Sequence, residues 1–490
     1  MRIIISAILF VLFFPVLSYS QLRLPAVLSS GMVLQQNDSV SIWGWGYNSE
    51  TMSITGSWDN KTYTTVVSNQ GSWSRKIKTP AAGGPFTLTI SRNGQDVVLT
   101  DVMIGEVWLC SGQSNMEWGY SNGARFIKEE FPTCYNRNIR FYQVPRASSE
   151  YPQDDLKANW LVCDSNSLKA FSAVGYFFGK KLQQDLNIPI GLINASWGGT
   201  PAETWTPAES IASDPVLKDA AASLKEVPWG PVKPALLYNG MLSPIKNFDI
   251  AGAIWYQGEA NTSNNSVYAQ LLTTMIDAWR KKWNKEFPFY YVQIAPFTYG
   301  RKNEGALVQE QQTKAMSHPR TGMVVVNDLI DSVSNIHPSD KREVGKRLAN
   351  WALGDTYHKN IPEYKSPKFR NSEIVKNKLV IQFDNAPTGL MATNKTITGF
   401  YVSGDKEEWL PADAKIENDK IELTVELAKR IVTILQIKLE DILPDSAILE
   451  SAAIHHERKD SQLLIKMESM MDLKLLELKQ WLSGELKKIG

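Results

Sequence analysis

The chain has 490 residues, 43% of them hydrophobic, which is enough apolar material for a globular protein of several domains. Its 52 basic and 51 acidic side chains leave a formal net charge of +1, which excludes the dense positive field of a nucleic-acid or anionic-membrane binder and points to a small or neutral ligand. Residues 1–20 open with Arg2, run through the apolar stretch Ile3–Leu17 and end in Ser18-Tyr19-Ser20, the pattern of a secretory signal peptide. A secreted or periplasmic protein with a mature start near Gln21 is therefore expected. No later stretch approaches the roughly 20 apolar residues of a membrane span.

Residues 21–101 alternate in short runs, Val40–Trp45, Thr51–Ile54, Lys61–Val67, Trp73–Ile77, Phe86–Ile90 and Asp96–Leu99, broken by turn formers such as Asn69-Gln70-Gly71 and Asn93-Gly94. That spacing predicts an N-terminal β-sandwich domain. Over residues 102–364 the texture changes to apolar strands alternating with helical segments, the signature of a parallel sheet covered on both faces. The expected strands are Val107–Cys110, Ile139–Gln143, Ile188–Asn194, Ala251–Tyr256, Phe289–Ile294 and Met323–Asn327; the expected helices are Ala170–Asp185, Val267–Trp283 and Lys341–Leu353. Residues 365–423 read as a β-rich region, with strands at Lys378–Phe383 and Ile397–Tyr401 and a turn at Gly404-Asp405. Residues 424–490 are rich in Leu, Lys and Glu and read as an atypical, helix-prone or disordered tail. Three cysteines, Cys110, Cys134 and Cys163, allow at most one disulfide; with Cys110 on a buried strand, Cys134–Cys163 is the expected pair.

Chemistry concentrates where the apolar run Val107–Cys110 ends in Ser111-Gly112-Gln113-Ser114-Asn115. Such a junction lifts a serine hydroxyl off the end of a buried strand, although the spacing is not that of a Gly-x-Ser-x-Gly elbow. There is no His-x-x-x-His, no Cys-x-x-Cys and no glycine-rich phosphate loop, so neither a metal nor any other cofactor is implied.

Gly112-Gln113-Ser114-Asn115-Met116 after Gly105–Ser111 resembles the nucleophile block of the sialate O-acetylesterase family within the SGNH hydrolases, and Gly31-Met-Val-Leu-Gln and Gly83-Gly84-Pro85 resemble its N-terminal β-domain. The resemblance spans about residues 22–422. It implies an SGNH-like, flavodoxin-like three-layer α/β/α core and an esterase that removes acetyl from sugar hydroxyls through an acetyl-serine intermediate. Ser114 would be the nucleophile, and Asn335-Ile-His337-Pro-Ser-Asp-Lys341 resembles the histidine block, making His337 the base. Asn194-Ala-Ser-Trp-Gly198-Gly199-Thr200 and Trp255-Tyr-Gln257-Gly-Glu259-Ala-Asn261 resemble the remaining blocks. Oxyanion donors would be the backbone of Ser114 and Gly198, with Gly199 nearby, and the Gln257 amide. In the wider superfamily an aspartate stands three residues before the histidine, but here that position is Ser334. Asp328 and Glu259, ahead of Asp331, are candidates to orient His337; a backbone carbonyl near Ser334–Asn335 or a plain Ser–His dyad are the alternatives. Trp118, Trp197, Trp205 and Tyr256 flank the blocks and are expected to form a wall for the sugar. An acetyl-xylan or other plant-polysaccharide esterase is the alternative within enzymes, and a non-catalytic glycan-binding protein the alternative outside them.

Overall fold

The computed structural model describes residues 22–432 apart from 302, 363, 376–377, 393–396, 398–399, 404–408, 425 and 428–430. The signal-like segment, the turn at Gly404-Asp405 and nearly all of the tail lie outside the described residues. Of the tail, Thr424 ends a strand and Glu426–Leu427 pairs with Ile431–Val432 in an antiparallel ladder.

The first strands are β1 (Val33–Gln35), β2 (Ser39–Trp45), β3 (Thr51–Gly56), β4 (Thr62–Val66), β5 (Ser72–Lys78) and β6 (Gly83–Arg92). They form where alternation places Val40, Ile42, Met52, Ile54, Leu88 and Ile90 inward against polar neighbours facing out. The next strand, β7 (Gln95–Gly112), is 18 residues long and runs straight through the boundary expected at residue 101. Its first half pairs antiparallel with β6, and its second half is the centre of a parallel sheet.

That sheet continues with β8 (Asn136–Gln143), β9 (Trp160–Cys163), β10 (Ile190–Ser196), β11 (Gly252–Tyr256), β12 (Phe289–Val292) and β13 (Thr321–Val324), in the spatial order β13-β12-β11-β7-β10-β8-β9. All neighbours are parallel except β9, which runs against β8. Setting aside the edge pair β8 and β9, the sequence of strands is 2-1-3-4-5, the flavodoxin-like order, in which ligands bind at the carboxyl ends where the winding reverses between the first and third strands. Those two are β7 and β11.

Residues of β7 alternate between two cores. Val107 and Leu109 face one, together with Leu272, Met275 and Trp279 of α3 (Tyr268–Trp283) and Val308 of α4 (Glu304–Ala315). Trp108 and Cys110 face the other, with Val174, Phe178 and Leu182 of α2 (Ala173–Leu186) and Val344 and Leu348 of α5 (Lys341–Trp351). Helix α1 (Ser114–Glu117) is the single turn that follows β7. Each fully buried Leu, Ile or Val contributes on the order of 2 kcal/mol, so the sandwiching of the second half of β7 seats it firmly. Beyond the sheet, Lys368–Val375, Lys378–Asp384, Lys420–Thr424 and Asp413–Glu417 form a separate antiparallel sheet.

No counterpart among the expected elements exists for the strand β9 or for the helix α4, whose buried face carries Gln309, Gln312 and Thr313 instead of an apolar stripe. The expected Cys134–Cys163 disulfide is corrected: both thiols are free, as is Cys110. The Cys163 thiol donates to the Cys134 carbonyl oxygen at 3.1 Å and the Cys134 thiol to the Phe131 carbonyl oxygen, so each sulfur is turned onto the backbone.

Candidate active site

The three blocks leave the sheet from one row. Gly112 of β7 is the cross-strand neighbour of Ser196 on β10 and of Tyr256 on β11, so the segments after them emerge side by side at the carboxyl edge. At this row the chain must turn tightly. Gly112 has φ +138°, and a Cβ there would lie 2.2 Å from the Tyr256 carbonyl oxygen, so only glycine fits. Gln113 N–H donates to that oxygen at 3.0 Å, and Ser114 becomes the first residue of α1, where its own N–H has no intrahelical acceptor.

His337 lies in the loop between β13 and α5, its N–H held by the Asn335 side chain at 3.0 Å. Its Nε2 is 2.8 Å from Ser114 Oγ, across 223 positions of sequence. Burial, with the Lys341 ammonium as a second cause, pushes the imidazole down to about 4 from its ordinary value, so the ring is neutral at physiological pH. A neutral ring that accepts from the Ser114 hydroxyl at Nε2 carries its proton on Nδ1. The Trp118 ring stacks on it, with centroids 4.1 Å apart and planes 23° apart. A cavity of about 810 Å³ opens beside the pair, bounded by Ser114, Gly198, Gly199, Trp229, Glu259 and His337.

None of the three carboxylates expected to orient His337 bonds to its ring. Asp328 accepts from both terminal nitrogens of the buried Arg347, one bond being 2.7 Å, because Arg347 is the buried cation that needs it. Asp331 accepts from Ser339 Oγ at 2.7 Å. Glu259 is buried, accepts from Asn115 Nδ2 and has its carboxyl raised by that burial.

The expected oxyanion donors fare differently. Both Nε2 protons of Gln257 are committed, to the Thr200 carbonyl oxygen at 3.2 Å and to Asn261 Oδ1 at 2.7 Å, and Oε1 accepts from Tyr268. Gln257 is fully buried and braces the loops beneath the cavity, with both amide protons engaged by the chain itself. Gly198 is in place, but its N–H donates to Glu117 Oε2 at 3.0 Å; Glu117 is itself held by Arg146. Gly199, at φ +72°, packs against Trp229, whose Nε1 donates to the Gly199 carbonyl oxygen at 3.3 Å.

Two of the four expected wall residues are core residues. Trp205 is fully buried, donates to Thr200 Oγ1 and meets Trp255 edge to face, while Tyr256 is fully buried under Lys341. Among the described residues nine tryptophans are buried, which leaves few of these for a ligand. Trp118 is spent on His337. Trp197 is half-buried and donates from Nε1 to the Trp229 carbonyl oxygen, and Trp229 itself, 60% exposed, is the aromatic face the cavity presents. Sequence reasoning missed Trp229, Glu117 and Arg146, for which no motif signals, and Asn115 and Lys341, which sit inside the quoted blocks. Among the described residues no group of His, Cys, Asp and Glu could hold a metal ion.

Comparison with known proteins finds similarity to carbohydrate esterases. A carbohydrate esterase family, sialic acid-specific acetylesterase, matches residues 104–354. Human sialate O-acetylesterase is 29% identical over 429 residues, covering 80% of this chain and 82% of that protein. The orangutan (Pongo abelii) sialate O-acetylesterase is 28% identical, covering 84% of this chain and 87% of its own. Among solved structures, a carbohydrate acetylesterase from Xanthomonas citri is 31% identical and superposes with a TM-score of 0.76, covering 84% of this chain and 93% of that one.

Proposed function

The chain belongs to the carbohydrate esterase family of sialic acid-specific acetylesterases, and on that premise we infer how its residues hydrolyse an acetyl ester. It is a carboxylic-ester hydrolase and a carbohydrate O-acetylesterase. The observation that carries the assignment of roles is the 2.8 Å approach of His337 Nε2 to Ser114 Oγ at the mouth of the cavity. Ser114 Oγ attacks the acetyl carbon while His337 Nε2 takes its proton. The oxygen of the tetrahedral intermediate turns to the Ser114 and Gly198 N–H groups, displacing Glu117 Oε2 from the latter. Collapse breaks the bond to the sugar oxygen, which receives the proton from His337. Water, deprotonated by His337, then attacks the acetyl-serine, and acetate leaves as Ser114 regains its proton.

The sugar we propose is an O-acetylated sialic acid. Lys225 and Arg301 line the cavity with Trp229, which suits a ring carrying a carboxylate better than the neutral ring of xylan. Secretion or transfer to a periplasm, expected from residues 1–20, is part of the same proposal, and N-terminal sequencing of exported protein tests it. Among the described residues no helix is long and apolar enough to cross a membrane. For the chemistry, Ser114→Ala should lower turnover of an acetyl ester by about 10⁴-fold or more with an unchanged melting temperature. An active Ser114→Ala protein would remove Ser114 from its role. Release of acetate from 9-O-acetylated sialic acid measured beside acetyl-xylan tests the sugar, and faster hydrolysis of the xylan would overturn that choice.

A further inference from the structure

A Ser–His pair needs something to hold the imidazole, and none of Asp328, Asp331 and Glu259 touches its ring. The side chain next to the nucleophile instead reaches three parts of the chain at once. Asn115 Nδ2 donates to Glu259 Oε1 at 2.5 Å and to the Ile336 carbonyl oxygen at 3.1 Å, and its Oδ1 accepts from Lys341 Nζ. Ile336 directly precedes His337 and Lys341 follows it by four residues, so both flanks of the histidine loop are tied to the residue adjacent to Ser114. We propose that Asn115, Lys341 and Glu259 form a buried clamp that positions His337 against Ser114, in the place a triad carboxylate would otherwise take. This rests on the acetylesterase reading above.

Three features support the clamp. Asn115 and Lys341 have no exposed surface and Glu259 has 6%; burying an ammonium and a carboxylate is costly, and Asn115 is the side chain that bonds both, Glu259 through Oε1 alone. Apolar side chains of the same volume would brace the fold as well or better, so stability alone does not account for them. Secondly, the amide is held in one sense. A carboxylate on one side accepts and an ammonium on the other donates, so a flipped Asn115 would set like against like. Thirdly, the clamp reaches His337 electrostatically as well as mechanically. Burial pushes Lys341 down to about 7, and its positive charge adds to burial in keeping His337 low. The other groups around this centre are Asp340 at the cap of α5, Tyr256 at the end of β11, Tyr299 near Glu259, Glu117 at Gly198, and Lys225 and Arg301 on the cavity wall. Stacking of Trp118 sets the plane of the imidazole; the clamp sets its distance.

The test uses the full chain and an acetyl ester. Asn115→Ala should lower kcat by roughly 10²-fold with little change in KM, because a ring displaced by about 1 Å no longer meets the hydroxyl. Lys341→Met should move the acid limb of kcat/KM upward by about one pH unit, and Lys341→Arg, which keeps the charge, should restore it. Melting temperatures identify variants that merely misfold. For these, titration of the His337 imidazole by NMR in Ser114→Ala, with and without Asn115→Ser, reads the same coupling with a smaller lesion, and an upward shift is expected. An Asn115→Ala enzyme with kcat within about twofold of the parent, or an acid limb or imidazole titration that does not move, overturns the clamp. Ser114→Ala separates the two claims: if it stays active the serine assignment itself fails, whereas an inactive Ser114→Ala beside a fully active Asn115→Ala sinks the clamp alone.

Discussion

As the proposed base, His337 should set the acid limit of the enzyme. A base must be unprotonated to accept from Ser114, and burial holds this imidazole down to about 4, so kcat/KM should keep its neutral value well below pH 6 and fall only as pH drops toward 4. A pH–rate profile measured over pH 3.5–8 checks this, and a limb at the free-histidine value near 6.5 would refute it. The sign for stability follows from the same shift. Between 6.5 and about 4 the unfolded chain binds the proton before the native one does, so this residue makes the fold less stable as pH falls through that window. Glu117 sets a different limit. Its carboxylate occupies the Gly198 N–H proposed as an oxyanion donor, and its removal in Glu117→Ala should raise kcat/KM by up to roughly 10-fold, the worth of one charge-assisted hydrogen bond. A fall of similar size would mean that Glu117, with Arg146, supports the substrate instead of competing with it.

At the level of elements, the helix α5 and the loop before it carry the histidine, and Asp328 belongs to their scaffold. Its bidentate pairing with Arg347, which also donates to the Val325 carbonyl oxygen at 2.6 Å, anchors α5 to the end of β13. Asp328→Asn should therefore cost about 3 kcal/mol in denaturant unfolding, as breaking a buried pair does, while leaving kcat close to the parent value. A variant that unfolds normally but has lost turnover would return Asp328 to the catalytic group. Helix α4 shows why pattern reading fails beside an active site. Gln312 donates to the Gln257 and Val292 carbonyl oxygens and accepts from Ile294 N–H, so the face of α4 turned to the core is polar and its sequence lacks an apolar stripe. Strands β7, β10 and β11 were legible because burial on both faces leaves continuous apolar runs that no exposed element would carry.

Over the whole molecule, the redox state of the cysteines is a direct check on the packing. Unfolded in denaturant without reductant, the chain should expose three reactive thiols, and a count of one would restore the Cys134–Cys163 bond that the structure lacks. What the sequence by itself determined is the chain's local grammar: the parallel α/β class, most of its strands and helices, and the serine, glycine and histidine blocks, because strand burial and tight turns are written in consecutive residues. Only the tertiary structure decided which of the flagged side chains face the cavity. Gln257, Trp205 and Tyr256 sit in the right motifs but are consumed by packing and hydrogen bonds with Asn261, Thr200 and Lys341. The partner of His337 was equally illegible, since Asn115, Glu259 and Lys341 are 144 and 226 positions apart along the chain and meet only where β7, β11 and α5 converge. Contacts between residues so far apart depend on how the sheet is wound, and no local periodicity encodes that.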